Sequence, residues 1–109
     1  MNLQQNKYLA DILESIQCID DFTGPTKQFN NFEKSKMMQA AVERHVEIIG
    51  EATKKLLEIN PTIPITNARK IVNTRNKIAH GYDEIELAEI WNIVINHLPV
   101  LKKEVQFLL

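Results

Sequence analysis

The sequence predicts an all-α protein, an antiparallel bundle of four to five helices. Apolar residues recur at three- and four-residue steps along most of the chain, which is the spacing of one helix face. Three glycines and four prolines in 109 residues are too few for the frequent tight turns of a β-rich fold. This length is near the usual size of one domain, so we expect residues 1–109 to form a single helical domain.

The first predicted helix ends near Thr23, where Gly24 and Pro25 interrupt the apolar pattern. Its apolar stripe consists of Leu9, Ile12, Leu13, Ile16, Ile19 and Phe22. Cys18 is the only cysteine, so it can form neither an internal disulfide nor a thiolate metal site. We interpret it as filling space in or near the core.

A long second helix is predicted to begin near Asn30, with Glu33 completing a capping box. Its apolar residues cover a wide arc, which predicts neighbouring helices on several sides. They are Met38, Ala41, Val42, Val46, Ile49, Ala52, Leu56 and Ile59. Gly50 costs this helix about 1 kcal/mol relative to Ala, which indicates either a close approach of another helix or a tolerated defect.

Pro61 and Pro64 predict a short rigid turn, because the residue before each proline is pushed out of helical geometry. A third helix follows, capped by Thr66 or Asn67 and ended by Gly81. Its apolar residues are Ala68, Ile71, Val72, Ile78 and Ala79.

A fourth helix is predicted to begin at Asp83, with Glu86 three residues later. The expected inner face consists of Ala88, Trp91, Val94 and Ile95. Pro99 is expected to separate this helix from a last segment that carries Leu101, Val105 and Leu108.

The candidate chemistry lies at the end of the third helix, in Arg75, Asn76, His80 and Tyr82. Cleaving RNA without a metal requires a base for the ribose 2′-hydroxyl, an acid for the leaving oxygen and positive charge on the transition state. An imidazole and a guanidinium supply these groups, and the amide of Asn76 can orient His80 or the phosphate. Asn76 and His80 share a helix face, whereas Arg75 and His80 diverge by roughly 140°.

An alternative interpretation assigns these residues no chemistry. Arg75 then pairs with an acid such as Glu43, Glu47 or Glu51, and His80 is a surface residue at a helix end. The charge pattern also allows two interpretations. Residues 61–80 contain four basic residues and no acid. Such a block is either a solvated helix face or a surface for a phosphate-bearing partner.

The other histidines are weaker candidates. His45 lies within the second helix and is expected to be packed and hydrogen-bonded, and His97 lies beside Leu98 and Pro99. No two histidines have zinc-ligand spacing, so we expect neither a metal nor a cofactor.

Two blocks of the chain resemble the HepT-like toxins of the HEPN superfamily. Arg75-Asn76-x-x-x-His80-x-Tyr82 matches the Arg-x-x-x-x-His-x-Tyr signature of that family, and residues 44–52 (RHVEIIGEA) resemble its second-helix block. The order of elements agrees as well, from Lys7-Tyr8-Leu9 to Trp91 and Leu98-Pro99. One departure is that Pro64 is not followed by the aromatic residue found in many relatives, a natural platform for stacking a base.

This resemblance implies a homodimeric, metal-independent endoribonuclease toxin with Arg75 and His80 as the catalytic pair and Asn76 as a supporting residue. It also implies RNA as the substrate and an MNT-type nucleotidyltransferase antitoxin as the partner. That antitoxin would inactivate the toxin by adding AMP to Tyr82. The signature alone leaves two other functions open: a non-catalytic helical partner that binds a nucleotide or substrate for a nucleotidyltransferase, and a purely structural dimer.

We expect a cytoplasmic protein without a membrane association. The apolar stretches are far shorter than the roughly 20 residues needed to cross a bilayer. The polar start of the chain, residues 1–6 (MNLQQN), does not resemble a signal peptide.

Overall fold

The computed structural model describes residues 2–80 and 86–109, and within these ranges it contains helices and no strand. The helices are α1 (Leu3–Thr23), α2 (Phe29–Lys34), α3 (Lys36–Ile59), α4 (Ala68–Ala79), α5 (Leu87–Asn92) and α6 (Leu98–Leu108), and a π-helical segment (Ile93–His97) joins α5 to α6. The all-α prediction is therefore confirmed. No helix in these ranges is long and apolar enough to cross a membrane.

Helix α3 lies at the centre of the bundle, as its wide apolar arc predicts. It packs against α1 and α4 and also contacts α2 and α5. Ser15 of α1 lies beside His45 of α3, whereas Tyr8, earlier on α1, lines a pocket with Glu51, later on α3. The two helices are therefore antiparallel. The most buried side chains of the core include Leu9, Ile12, Ile16, Ile19, Phe32, Val42, Ile49, Leu56, Ile71, Ile90, Ile93 and Leu101.

The beginning of α3 differs from its prediction. Ser35 is its N-cap, and the Ser35 Oγ accepts a hydrogen bond of 3.0 Å from the backbone N–H of Met38. The predicted cap, Asn30, instead lies inside the separate short helix α2. Gln39 stabilises the break between the two helices, because its Nε2 donates to the carbonyl oxygens of Phe32 and Glu33 at the end of α2. The expected capping box at Asn30 and Glu33 is thus wrong.

The stripe of α1 is buried except for partly buried Leu13 and its last residue, Phe22. Phe22 is 43% exposed, and its ring packs beside the His45 ring with 5.5 Å between the centroids. Phe22 therefore lies at the rim of the core rather than within it. Cys18 is half-buried, which agrees with a role in filling space near the core.

The cap of α4 agrees with the prediction in its position but not in its bonding. Asn67 occupies the N-cap position in a left-handed conformation with φ of 60°, but its side chain makes no capping hydrogen bond. Thr66 binds the Glu104 carboxylate of α6 through its backbone N–H at 3.1 Å and its hydroxyl at 2.8 Å. The Asn67 side chain contacts His97, with 3.2 Å between Asn67 Nδ2 and His97 Nδ1. Thr66 and Asn67 therefore link the start of α4 to the last part of the chain instead of capping the helix.

Pro99 does not separate two helices. It lies in the first turn of α6, where its missing N–H is tolerated. The preceding π turn accommodates it, because the N–H of Leu98 bonds to the carbonyl oxygen of Ile93, five residues earlier. The buried face consists of Ile90, Ile93 and Val94, whereas Ala88 and Ile95 of the predicted inner face are exposed. The predicted helix end at Gly81 and start at Asp83 lie outside the described residues.

Helix α4 approaches α3 closely at Gly50. A Cβ atom at Gly50 would collide with the Cβ of Arg75 and lie 2.7 Å from its Cγ and 3.3 Å from the carbonyl oxygen of Ile71. Since a Cβ cannot move without its backbone, the obstruction is the path of α4 itself. Of the two interpretations of Gly50, the close helix approach is therefore confirmed.

We predict that Gly50→Ala lowers the free energy of unfolding by about 1–3 kcal/mol, the usual cost of overpacking a filled site. The expected loss runs against the helix propensity, which favours Ala over Gly by about 1 kcal/mol. Chemical denaturation would measure it. The double variant Gly50→Ala/Arg75→Gly should be more stable than the sum of the two single changes, because it removes the opposing Cβ. A stabilising Gly50→Ala would contradict the close approach.

Candidate active site

Arg75 is held between the two helices at the Gly50 contact. Its Nη2 lies 2.9 Å from the Oε2 of Glu51, and its Nη1 donates a hydrogen bond of 3.1 Å to the Oδ1 of Asn76. Only 22% of the Arg75 side chain is exposed. The ion pair that the sequence left open is therefore present, with Glu51 rather than Glu43 or Glu47 as the acid.

The guanidinium is not saturated by these two contacts. The Nε of Arg75 is buried and has no hydrogen-bond acceptor among the described residues, and the contact with Glu51 Oε2 is close but not aligned as a hydrogen bond. Arg75 thus lies in a defined position beside a carboxylate, with one buried N–H that no described residue accepts.

Asn76 extends this group toward His80. His80 follows α4 directly, its side chain is exposed, and its backbone N–H donates a hydrogen bond of 3.0 Å to the carbonyl oxygen of Asn76. Asn76 and His80 are four residues apart and therefore share a helix face. The hydrogen bond from Arg75 to Asn76 directs the guanidinium toward that face. The structure brings Arg75 and Asn76 into contact and places His80 one turn later. Tyr82 lies outside the described residues.

A pocket of about 290 Å³ opens beside Arg75 between α1, α3 and α4. Its lining combines one aromatic ring with three basic and three acidic side chains, which are Tyr8, Arg44, Lys55, Arg75, Asp11, Glu47 and Glu51. The apolar side chains of Ile48 and Ala52 contribute to its wall. Sequence reasoning did not predict that Tyr8 lies near Arg75, because the two are distant in the chain and no motif connects them.

His45 packs as the sequence predicts and takes no part in this group. Its Nδ1 lies 3.1 Å from the Oγ of buried Ser15, so one of the two atoms donates to the other. Burial first, and then the positive charge of Arg44, lower the pKa of His45 below its usual value. The neutral imidazole is therefore the form that the fold stabilises.

His97 forms part of a separate polar cluster. Its Nδ1 lies 3.2 Å from Asn67 Nδ2, and its Nε2 lies 3.4 Å from Asn92 Nδ2. Burial and the nearby charge of Lys70 lower the pKa of His97. Within residues 2–80 and 86–109, no three His, Cys, Asp or Glu side chains are arranged to hold a metal ion.

Comparisons with known proteins agree on one family. The family described as "Ribonuclease HepT-like" matches residues 12–108. A Methanocaldococcus jannaschii protein named "Putative RNase" is 42% identical over 103 residues, which cover 91% of this chain and 82% of that protein. The "Probable ribonuclease HepT" of Thermococcus cleftensis is 35% identical over 106 residues, covering 94% and 93% of the two chains. No solved structure is significantly similar to the chain.

We predict that Glu51→Gln lowers the free energy of unfolding by about 1 kcal/mol, because it leaves the mostly buried Arg75 guanidinium without its counter-charge. Glu58→Gln is the matched control. Glu58 lies 4.0 Å from its basic partner, Lys55 of α3, and both side chains are about half exposed. The control should change stability by less than about 0.5 kcal/mol. Equal losses in the two variants, measured by urea denaturation, would mean that Arg75 and Glu51 form only a surface pair.

Proposed function

Because the chain belongs to the HepT-like ribonuclease family of the HEPN superfamily, we propose that it is a metal-independent endoribonuclease toxin with Arg75 and His80 as its catalytic pair. Ribonuclease activity follows from the family. The toxin role, the absence of a metal from the reaction and the assignment of the two residues are the proposal. The observation that carries it is the position of Arg75, wedged at Gly50 and bonded to Asn76.

The proposed reaction uses the neighbouring 2′-hydroxyl of RNA. The 2′-oxygen loses its proton and attacks the phosphorus, the bond from phosphorus to the 5′-oxygen breaks, and that oxygen takes up a proton. The products are a 2′,3′-cyclic phosphate and a 5′-hydroxyl. His80 transfers protons at this site, and Arg75 stabilises the negative charge that develops on the phosphorane-like transition state. Asn76 is a supporting residue that orients the guanidinium.

A homodimer completes this chemistry in the proposal. One imidazole cannot serve as base and acid in the same step, and Arg75 and His80 project from α4 in directions that differ by roughly 140°. Two copies that bring their α4 helices together would supply two imidazoles and two guanidinium groups to one RNA strand. The exposed position of His80 supports such a shared site.

We predict that purified protein cleaves cellular RNA in excess EDTA and that His80→Ala lowers the cleavage rate by about 10²–10⁴-fold, the usual contribution of general acid or base catalysis. His45→Gln is the matched control, because His45 packs between α1 and α3 away from Arg75 and Asn76. It should retain cleavage. Gel analysis of the fragments would measure the rate, and circular dichroism would establish that each variant is folded. Cleavage that requires an added metal, or that survives in folded His80→Ala, would contradict the assignment.

An MNT-type nucleotidyltransferase antitoxin is the proposed partner, and Tyr82 is the proposed site of AMP addition. The phenolic oxygen of Tyr82 would attack the α-phosphorus of ATP and release pyrophosphate. The bulky anion formed, two residues from His80, would occupy the position of the RNA phosphate and repel it.

We predict that incubation with the cognate nucleotidyltransferase and ATP adds one AMP to the chain and abolishes cleavage, because the added phosphate blocks the RNA site. Tyr82→Phe has no nucleophilic oxygen, so it should remain unmodified and should still cleave RNA after the same treatment. Intact mass spectrometry and the cleavage assay would measure both results. Addition of AMP to Tyr82→Phe would show that another residue is the acceptor.

A second candidate function is a non-catalytic helical partner of a nucleotidyltransferase that binds its nucleotide or substrate. The ion pair between Arg75 and Glu51 favours it, because a carboxylate already offsets the charge of the guanidinium. Unmodified protein that binds RNA or nucleotide but cleaves no RNA, with or without His80, would select this function.

A further inference from the structure

We propose that the groove between α4 and the α5 and π-helical segments binds the sugar-phosphate backbone of the RNA and leads it to His80. This inference rests on the proposed ribonuclease function and adds a binding site to it. The groove, here called the α4 groove, has a volume of about 400 Å³ and is lined by Lys70, Asn73, Thr74, Lys77, Glu89, Asn92 and Ile93.

The lining of the α4 groove suits a backbone rather than a base. Two lysines supply positive charge for phosphates, and the amides of Asn73 and Asn92 can bond to phosphate or ribose oxygens. Among the residues that the structure describes, no aromatic side chain lines the groove, so these residues offer no stacking platform. It differs in this respect from the pocket beside Arg75, which Tyr8 lines.

The position of the groove on α4 connects it with the proposed catalytic residue. Lys70, Asn73, Lys77 and His80 follow one another at steps of three and four residues, within an arc of roughly 80° on a regular helix. A strand that contacts Lys70 and Lys77 would therefore reach His80 along the same face. Arg75 lies on the opposite face of α4, and Asn76, which bonds to it, lies between the two faces.

The charges of the groove leave it open to an anion. Lys70 has no acidic partner within ion-pair distance in the described part of the chain, and residues 61–80 contain no acid. Lys77 is paired with Glu89 at 3.3 Å, but both side chains are about half exposed. Exposed ion pairs of this kind contribute little and exchange readily. A phosphate can therefore replace Glu89 as the partner of Lys77.

The opposite wall of the groove is held in place by the polar cluster of the π segment. The Oδ1 of Asn92 accepts a hydrogen bond of 2.6 Å from Asn96 Nδ2, and His97 contacts Asn92 on one side and Asn67 on the other. Asn92 thus faces α4 in a defined orientation. This arrangement explains why Asn67, next to α4, uses its side chain for His97 rather than for a cap.

The test uses binding of a labelled single-stranded RNA by fluorescence anisotropy over a range of NaCl concentrations, in the His80→Ala background so that the RNA stays intact. Lys70→Ala and Lys77→Ala should each lower the slope of log K against log salt by about 0.7 and weaken binding on the order of fourfold at physiological salt. Lys54→Ala is the control, because Lys54 is an exposed lysine of α3 outside the groove.

Glu89→Gln provides a test of opposite sign. The change removes the carboxylate that competes with an RNA phosphate for Lys77. RNA binding should therefore tighten by about twofold or more, in keeping with the small energy of an exposed ion pair. Glu58→Gln makes the same change of net charge on α3 and should leave binding within experimental error. A general effect of net charge would move both variants equally.

The outcomes separate this inference from the proposed function. Binding by the Lys70 and Lys77 variants that matches Lys54→Ala, or equal effects of Glu89→Gln and Glu58→Gln, would overturn the backbone groove while leaving His80-dependent cleavage intact. If the wild-type chain cleaves no RNA, the proposed catalysis fails, and the salt dependence still decides whether the α4 groove binds the strand.

Discussion

The close contact of Gly50 with Arg75 is the constraint on which the candidate site depends. Because Gly50 has no side chain, the backbone of α4 can lie against α3 at the residue that carries the guanidinium. That approach brings Arg75 within 2.9 Å of Glu51, the residue after Gly50, and leaves Asn76 beside it. The packing of α4 against α3 therefore fixes the position of the Arg75 guanidinium, and a change in that packing would move the charge.

Helix α4 separates two different surfaces. On the side of α1 and α3, Tyr8 and Arg75 line a partly apolar pocket that also contains three carboxylates. On the side of α5, lysines and amides line the polar groove that we propose for the RNA backbone. His80 lies at the end of the helix that forms the boundary.

The sequence predicted the elements well where one local pattern decides them. The stripe of α1, the central role of α3, the break at Pro61 and Pro64 and the packed state of His45 all follow from spacing and from residue chemistry. The start of α3 was predicted wrongly because the chain breaks between α2 and α3, so that Ser35 rather than Asn30 caps α3. Other predictions failed where a side chain had two possible partners, since Thr66 and Asn67 bond to Glu104 and His97 rather than to their own helix. A tertiary partner competes with a local cap, and no local pattern records that competition.

The sequence by itself determined the helical class and the family, and it predicted Arg75, Asn76, His80 and Tyr82 as candidate site residues, because periodicity and the two motif blocks are properties of the order of residues. Only the tertiary structure decided which acid meets Arg75, why Gly50 stands in a central helix, and that Tyr8 joins the same pocket. The π turn before α6 belongs to this second group, since Pro99 by itself predicts a break. Such features depend on how closely whole helices approach one another. The distance between two helices is set by side chains that lie far apart in the chain, so no local pattern records it.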